Sequence, residues 1–353
     1  MNNKVILVGA INEGNVPTCG ETMKNQLFVK RFKELFDMVI TVDTLNWKKR
    51  PWILLKLVYV LLVYGRSCDV ILSACPISVN RTIYITNRFF KYVKLHYWVI
   101  GGNLHLCTAS GRVSLTELQK LSGVYVEGNR MKTELEKQGL KNVQVVPNFK
   151  PISFHPSITP KIANESYRFV FLSRIHPDKG IKEIFEATKQ LNEMGFQNEF
   201  TVDFYGKIEP GFKEIFYDAV SSFSNVTYKG FLNLMDNKGY EALSTYDVML
   251  FPTYWNGEGF PGIVIDANMS GLPIIASDWS MNREVVVDGQ TGFIIPTHDS
   301  NALANKMKLF ISNGVDLLNM KQYCVNHIQQ YDYKNVLSIN LINSIINVRS
   351  KKS

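Results

Sequence analysis

Four side chains in the second half of the sequence have the types and spacing to work on a phosphorylated ligand. Glu258 and Asp266 stand eight positions apart in EGFPGIVIDANMSGLPIIASD, residues 258–278. The first acid precedes a stretch that reads as a helix start, and the second falls within its first turns. Both carboxylates can therefore address one ligand, and the vicinal hydroxyls of a sugar or a ribose suit such acceptors. Gly259 and Gly262 let the backbone come close, and a glycine-containing turn feeding a helix N-terminus presents N–H groups to an anion. In FLSRIHPDKG, residues 171–180, a strand delivers Arg174 to its carboxyl end and Lys179 follows at the mouth of the next helix. Two cations there can clamp a diphosphate and neutralise it as a leaving group. Surface charge paired with Asp178 is the alternative reading, and the neighbouring 258–278 segment favours the clamp.

Such residues need elements to hold them, and the chain supplies one rhythm twice. Short β-branched runs at Val5–Val8, Met38–Val42, Val70–Ser73, Leu95–Ile100, Val124–Val126 and Gln144–Val146 read as strands, with helical spacings between them. PNFKPISFHPSITPKIANES, residues 147–166, has four prolines and no periodicity, which marks a linker. The rhythm restarts at Phe169–Leu172, Thr201–Tyr205, Val226–Tyr228, Val248–Phe251, Pro273–Ala276 and Phe293–Ile295. Strand–helix alternation implies parallel strands with crossover helices. The expected architecture is two doubly wound α/β domains, residues 1–155 and 156–330, facing a central cleft. Residues 331–353 are expected as a terminal helix returning to the first domain. Ligands of such sheets sit beyond the carboxyl ends of the strands. The first loop, GAINEGNVPTCGETMKNQL at residues 9–27, carries Gly9, Gly14 and Gly20 but no G-x-G-x-x-G, so no dinucleotide fingerprint is present.

Composition excludes several classes. With 46% hydrophobic residues the chain is neither disordered nor low in complexity. Its five cysteines are scattered without a C-x-x-C, against a disulfide framework or a zinc knuckle and in keeping with a reducing cytoplasm. MNNKVILVGA runs straight into a strand without the apolar region of a signal peptide, and no apolar stretch is long enough to span a bilayer. Charge is uneven: residues 1–155 hold 21 Lys+Arg against 10 Asp+Glu, whereas residues 156–353 hold 18 against 21. Nucleic acid is a poor explanation, because no zinc-finger spacing, RNP-like motif or dense basic run occurs. An anionic membrane surface is a better one. KKRPWILLKLVYVLLVYGR (48–66) and RTIYITNRFFKYVK (81–94) combine basic and aromatic residues as interfacial helices do. A core helix followed by a solvated one is the competing reading of these segments.

SRIHPDKG, EGFPGIVIDANMSGLPIIASD and EVVVDGQTGFIIP (284–296) together resemble retaining glycosyltransferases of the GT-B fold, family 4. The likeness is specific over about residues 165–325. In the first half it rests on Gly20, which fits the family's glycine loop, and on VEGNRMKTELEKQGLKNVQVVPN, residues 126–148. The resemblance implies catalytic roles for Arg174, Lys179 and Glu258. It implies donor contacts at Gly20, Gly206, Leu232, Gly259, Phe260, Pro261, Gly262, Ile263 and Asp266, with the base near Gly206–Lys207 and Gly230–Leu232. Two departures stand out in the family's acid pair and its glycine turn: the second acid here is Asp266, and Pro261 replaces a small residue. Where many members carry a histidine followed by glycine, this chain reads VIGGNLH, residues 99–105. Gly101, Gly102, Asn103 and His105 are the acceptor-side candidates, and a purely structural His105 is an equal alternative.

The activity so implied is transfer of a sugar from a nucleotide-sugar, UDP being the carrier expected, with retention and with no cofactor. No D-x-D occurs, in keeping with a metal-independent reaction. The basic, aromatic first half suggests a lipid-linked acceptor, an undecaprenyl-diphosphate saccharide in surface polysaccharide assembly, met by a cytoplasmic enzyme held peripherally at the inner membrane face. An epimerase acting on a UDP-sugar and a non-catalytic partner subunit of the same fold are the competing classes. A nicotinamide oxidoreductase is disfavoured by the missing glycine fingerprint.

Overall fold

Among the described residues twelve strands form, the central ones from apolar, β-branched runs buried on both faces, as parallel strands between helical layers must be. The computed structural model describes residues 4–17, 19–162 and 165–346. The chain divides into two compact units, residues 1–151 together with 331–353, and residues 152–330.

The first unit holds a six-stranded parallel sheet of β1 (Lys4–Gly9), β2 (Met38–Asp43), β3 (Asp69–Ala74), β4 (Leu95–Val99), β5 (Gly123–Val126) and β6 (Val143–Val145), in the order β2-β1-β3-β4-β5-β6. The order reverses direction between β1 and β3, where a doubly wound sheet opens a crevice at its carboxyl edge. Helix Gly20–Leu35 buries Phe28 and Phe32, and Phe28 packs edge-on to Trp98 at 4.7 Å and Phe149 at 5.2 Å. Residues 331–346 complete the same core. Lys150 donates its N–H to Tyr331 and accepts from Tyr333, and two short helices, Tyr333–Val336 and Ile339–Ile345, set Leu337 and Ile342 against the apolar face of helix Gly20–Leu35. Ser338 separates the two by accepting the N–H of Leu341 as an N-cap.

The second unit repeats the plan with β7 (Tyr167–Leu172), β8 (Phe200–Tyr205), β9 (Val226–Gly230), β10 (Val248–Phe251), β11 (Ile274–Ser277) and β12 (Gly292–Ile295). All pairs are parallel and the order is β12-β11-β10-β7-β8-β9. Its reversal lies between β7 and β10, with Phe169 opposite Val248. Helix Ile181–Glu193 presents Ile181, Ile184, Ala187 and Leu191 to this sheet at helical spacing, beside helix Ser300–Ile311 with Leu303, Met307 and Phe310. Both sheets and their helical layers match the expected doubly wound class.

Candidate active site

The reversal between β7 and β10 sends two loops out from neighbouring carboxyl ends, residues 173–180 and 252–261, and most of the chemistry read from the sequence lies on them. The two loops are laced together. Tyr254 donates its N–H to the Asp178 carbonyl at 2.8 Å and its hydroxyl to the Pro177 carbonyl at 3.1 Å. Gly180 has φ +77°, and a Cβ there would stand 2.3 Å from the Pro252 carbonyl oxygen. Only glycine lets the loops approach this closely, which accounts for the glycine after Lys179.

Lys179 ends a single 3₁₀ turn, Pro177–Lys179, that His176 caps by accepting the Asp178 N–H. Its ammonium pairs directly with the Glu258 carboxylate, both side chains being largely withdrawn from solvent at 8% and 14% exposure. Thr253 donates its hydroxyl to the same Glu258 oxygen at 3.2 Å. Glu258 is fixed from behind as well: its N–H donates to the Trp255 carbonyl at 3.0 Å, and its own carbonyl accepts the Ser280 hydroxyl at 2.7 Å. The Arg174 guanidinium lies 4.9 Å from the centre of the Trp255 ring, whose edge also meets His176. Stacking on an indole holds a guanidinium in place while leaving its N–H fork free for a planar anion. Arg174, Lys179 and Glu258 thus share one neighbourhood.

The run after Glu258 feeds helix Gly262–Met269. Gly259 is half-buried, Phe260 and Pro261 are buried, and Gly262 and Ile263 open the helix half-exposed. First-turn N–H groups have no intrahelical acceptor, and the helix dipole favours negative charge there. Asp266 lies one turn deeper and is buried, with Tyr240 donating its hydroxyl to Oδ1 at 2.9 Å. Burial and that carboxylate push the Tyr240 phenol well above its usual range. Burial, with Glu183 and Asp178 behind it, pushes Tyr254 up to about 12, so both hydroxyls stay protonated donors. Gly206, at the end of β8, sits where a Cβ would meet the Ser173 carbonyl oxygen at 1.8 Å. Leu232 follows β9, two strands from β7, on a loop that also carries the exposed Phe231. Among the described residues no three His, Cys, Asp or Glu side chains converge as a metal ion would require.

The remaining candidates belong to the first unit. Gly20 opens helix Gly20–Leu35 at an exposed position. Gly101 takes the left-handed conformation at φ +97°, Gly102 is buried, and Asn103 precedes helix Leu104–Ala109. His105 is half-buried, and its Nδ1 has no hydrogen-bond partner. Burial, then the nearby Arg130, lowers its pKa.

Thr253, Tyr240, Trp255 and Ser280 were not among the candidates. Trp255 and Thr253 sit in the polar turn before Glu258, so their place in the motif was the available signal. Tyr240 lies 26 positions from Asp266 with no local pattern to mark it. The sequence also gave no sign of the buried Lys24–Glu127 pair in the first unit, 103 positions apart.

With this geometry in hand, likeness to known proteins becomes informative. Residues 158–329, nearly the whole second unit, match the family described as glycosyl transferases group 1. Among curated proteins, the capsular polysaccharide biosynthesis glycosyltransferase CapM of Staphylococcus aureus is 27% identical over 156 residues, 43% of this chain and 39% of that protein. The amylovoran biosynthesis glycosyltransferase AmsK of Erwinia amylovora is 29% identical over 145 residues, 40% and 35% of the two chains. A UDP-Gal:alpha-D-GlcNAc-diphosphoundecaprenol alpha-1,3-galactosyltransferase of Escherichia coli is 25% identical over 197 residues, 53% and 49%. The chain therefore spans half or less of these relatives. Among solved structures, sucrose-phosphate synthase from Thermosynechococcus elongatus superposes with a TM-score of 0.72 at 14% identity, covering 97% of this chain and 98% of that one. The lipopolysaccharide outer core galactosyltransferase WaaB does so with 0.72 at 15%, covering 97% and 99%. The chain has the GT-B fold. Its second unit resembles the group 1 glycosyltransferases, whose family model it matches over residues 158–329.

Proposed function

We propose that this protein is a retaining hexosyltransferase that moves a sugar from a UDP-linked donor to an undecaprenyl-diphosphate-linked saccharide in bacterial surface polysaccharide assembly. The observation that carries the reading is the desolvated Lys179–Glu258 pair beside Arg174, at the carboxyl ends of β7 and β10. A diphosphate entering there would draw the Lys179 ammonium and the Arg174 fork onto its oxygens. Glu258, still held by Thr253 and the Ser280 hydroxyl, would then accept hydroxyls of the transferred sugar. Gly259, Phe260, Gly262 and Ile263 would bring backbone N–H groups to the sugar–phosphate, with Pro261 lining the same turn, and Asp266 would take the ribose. Gly206 and Leu232 would lie along the nucleoside.

In the chemical step the bond from the anomeric carbon to the diphosphate oxygen breaks, and its electron pair stays with the phosphate. The acceptor hydroxyl oxygen bonds to the anomeric carbon on the same face, and its proton passes to the departing phosphate oxygen. The two cations supply the charge neutralisation, so the step as proposed uses no resident metal or other cofactor. Gly20 is assigned to the donor, and Gly101, Gly102, Asn103 and His105 are assigned to the acceptor side. The names of the relatives support the setting: capsule and amylovoran biosynthesis for two, and a UDP-sugar with a diphosphoundecaprenol acceptor for the third. No helix among the described residues is long and apolar enough to cross a membrane, and the proposed place of work is peripheral, at the inner membrane face.

A thermal-shift panel with UDP, GDP, ADP and NAD tests the donor class. A nucleotide at about 100 times its dissociation constant adds roughly 2.7 kcal/mol of stability, and UDP is expected to give the largest shift. A response to NAD alone would overturn the reading.

A further inference from the structure

One surface of the first unit is apolar where water should be. Helix Trp52–Tyr64 buries only Ile53, Val60 and Leu61, while Trp52 is 60% exposed, Leu55 73% and Leu62 61%, with Leu54, Val58, Tyr59 and Val63 also exposed. Helix Pro76–Phe89 adds Ile77, Tyr84, Ile85 and Phe89. With Arg81 and Arg88 these fall at spacings of three and four, so they share one face of that helix. Helix Trp52–Tyr64 connects β2 to β3 and helix Pro76–Phe89 connects β3 to β4. Both steps run the same way across the sheet, and right-handed crossovers place both helices on one side of it. They are joined at their ends. Tyr92 donates its hydroxyl to the Leu61 carbonyl at 3.3 Å, and the Arg66 guanidinium stacks 4.9 Å from the Tyr92 ring centre.

Charge says what covers this face. Between residues 44 and 116 the only acid is Asp69, against ten Lys and Arg. Among the described residues Lys48, Lys49, Arg50, Lys56, Arg81, Arg88 and Lys91 have no ion-pair partner. Beside the second helix is a hollow of ≈ 580 Å³ bordered by Tyr84, Asn87, Arg88, Lys91, Glu117 and Lys120. Its one acid, Glu117, is already bound by Lys120 at 2.5 Å and by Asn87 at 2.8 Å, leaving Arg88 and Lys91 to an outside anion. A second copy of the chain would bring like charges together on this face, which opposes self-association. A surface of exposed aromatic and aliphatic side chains ringed by cations matches an anionic leaflet: the apolar groups reach the acyl boundary and the cations meet the headgroups.

We propose that the face formed by helices Trp52–Tyr64 and Pro76–Phe89 docks on an anionic lipid bilayer, with the hollow at Arg88 and Lys91 taking a lipid phosphate. This deepens the proposed lipid-linked acceptor and rests on that reading for its purpose, since it would hold the enzyme where such an acceptor lies.

The test is co-sedimentation of the full chain with phosphatidylcholine vesicles, with and without phosphatidylglycerol, at low and high salt. The expected result is binding to the anionic vesicles that weakens with salt. Leu55→Gln with Leu62→Gln should abolish it, and Arg88→Gln with Lys91→Gln should weaken it by roughly tenfold or more, at about fivefold per surface cation. All four sites are exposed, so the variants should melt as the parent does. Equal binding to both vesicle types, binding to neither, or undiminished binding of the variants would overturn the proposal. So would a dimer in sedimentation velocity that Leu55→Gln with Leu62→Gln disperses. Transfer to a short-chain, water-soluble acceptor is measured alongside. Docking variants that keep it while losing vesicles separate this proposal from the transferase reading, which fails only if that transfer is absent in the parent chain.

Discussion

Among the described residues each unit buries one lysine–glutamate pair, and the two pairs are built differently. In the first unit Lys24 projects from the interior of a sixteen-residue helix to Glu127, just past β5, with exposures of 4% and 5% and the Phe149 ring 5.3 Å from the ammonium. In the second unit Lys179 and Glu258 both stand on loops, and a hydroxyl from Thr253 shares the carboxylate. The turn residues around them, Tyr254, Trp255 and Gly259, are only half-buried. A pair locked between a helix and a strand end has no room to exchange partners. A pair on loops over a strand reversal can be opened by an incoming anion at little cost to the scaffold. The same two residue types thus form a structural tie in one unit and, in the proposed reading, a binding site in the other.

That contrast can be broken by mutation. Lys179→Ala is expected to lower the transfer rate by about 10²–10³-fold, measured in a sugar-transfer assay. Near-normal turnover would remove the proposed clamp. Lys24→Ala removes the buried ammonium from Glu127 and should cost about 3–5 kcal/mol of stability in denaturant unfolding, most of it regained in Lys24→Met with Glu127→Leu. If the double replacement fails to recover, Lys24 does more than satisfy its partner. The matching replacement Lys179→Met with Glu258→Gln should leave the melting point near that of the parent and yet restore no transfer. The smallest effect concerns pH. The folded pKa of His105 lies below its ordinary value because of burial and Arg130, so the native state resists protonation. Below about pH 6.5 the unfolded chain takes up a proton that the folded one refuses. Stability is therefore complete above that pH and declines as the pH falls toward the depressed value. His105→Gln should flatten this acid-side fall in melting temperature, and an unchanged slope would assign it to other groups.

The twelve strands of the described residues were legible, because the central ones, buried on both faces, must read as continuous β-branched and aromatic runs, and the partly exposed edge strands such as Met38–Asp43 and Val226–Gly230 still carry β-branched or aromatic residues. Val248–Phe251 has the expected ends, and the others differ by one or two residues at their limits, where side-chain patterns fade into turns. The helix expected from Ile263 begins at Gly262. The residues bearing Arg174, Lys179 and Glu258 could be found because each lies within a short motif after a strand. Contacts made through space left no trace. Tyr240 on Asp266, Ser280 on the Glu258 carbonyl and Lys24 on Glu127 join ordinary residue types across long separations. The segment at residues 52–64 was ambiguous for a physical reason: a helix apolar on all sides reads the same whether the outer side meets protein or something else. Only the exposures of Leu55, Tyr59 and Leu62 decide that this chain leaves it open.

The return of residues 331–346 to the first unit bears on how the protein is made. Tyr333, Leu337 and Ile342 belong to the same core as Phe28 and Trp98, and Arg31 donates to the Leu337 carbonyl 306 positions away. On the ribosome, the strands of the first unit emerge early but lack this wall until residues 331–346 are translated. The second unit is contiguous and has every strand it needs well before then. Of the two units, the one begun first is finished after the other. A nascent chain therefore carries an open apolar flank until those residues emerge, and a message truncated near codon 330 would yield one sound unit tethered to one that cannot close.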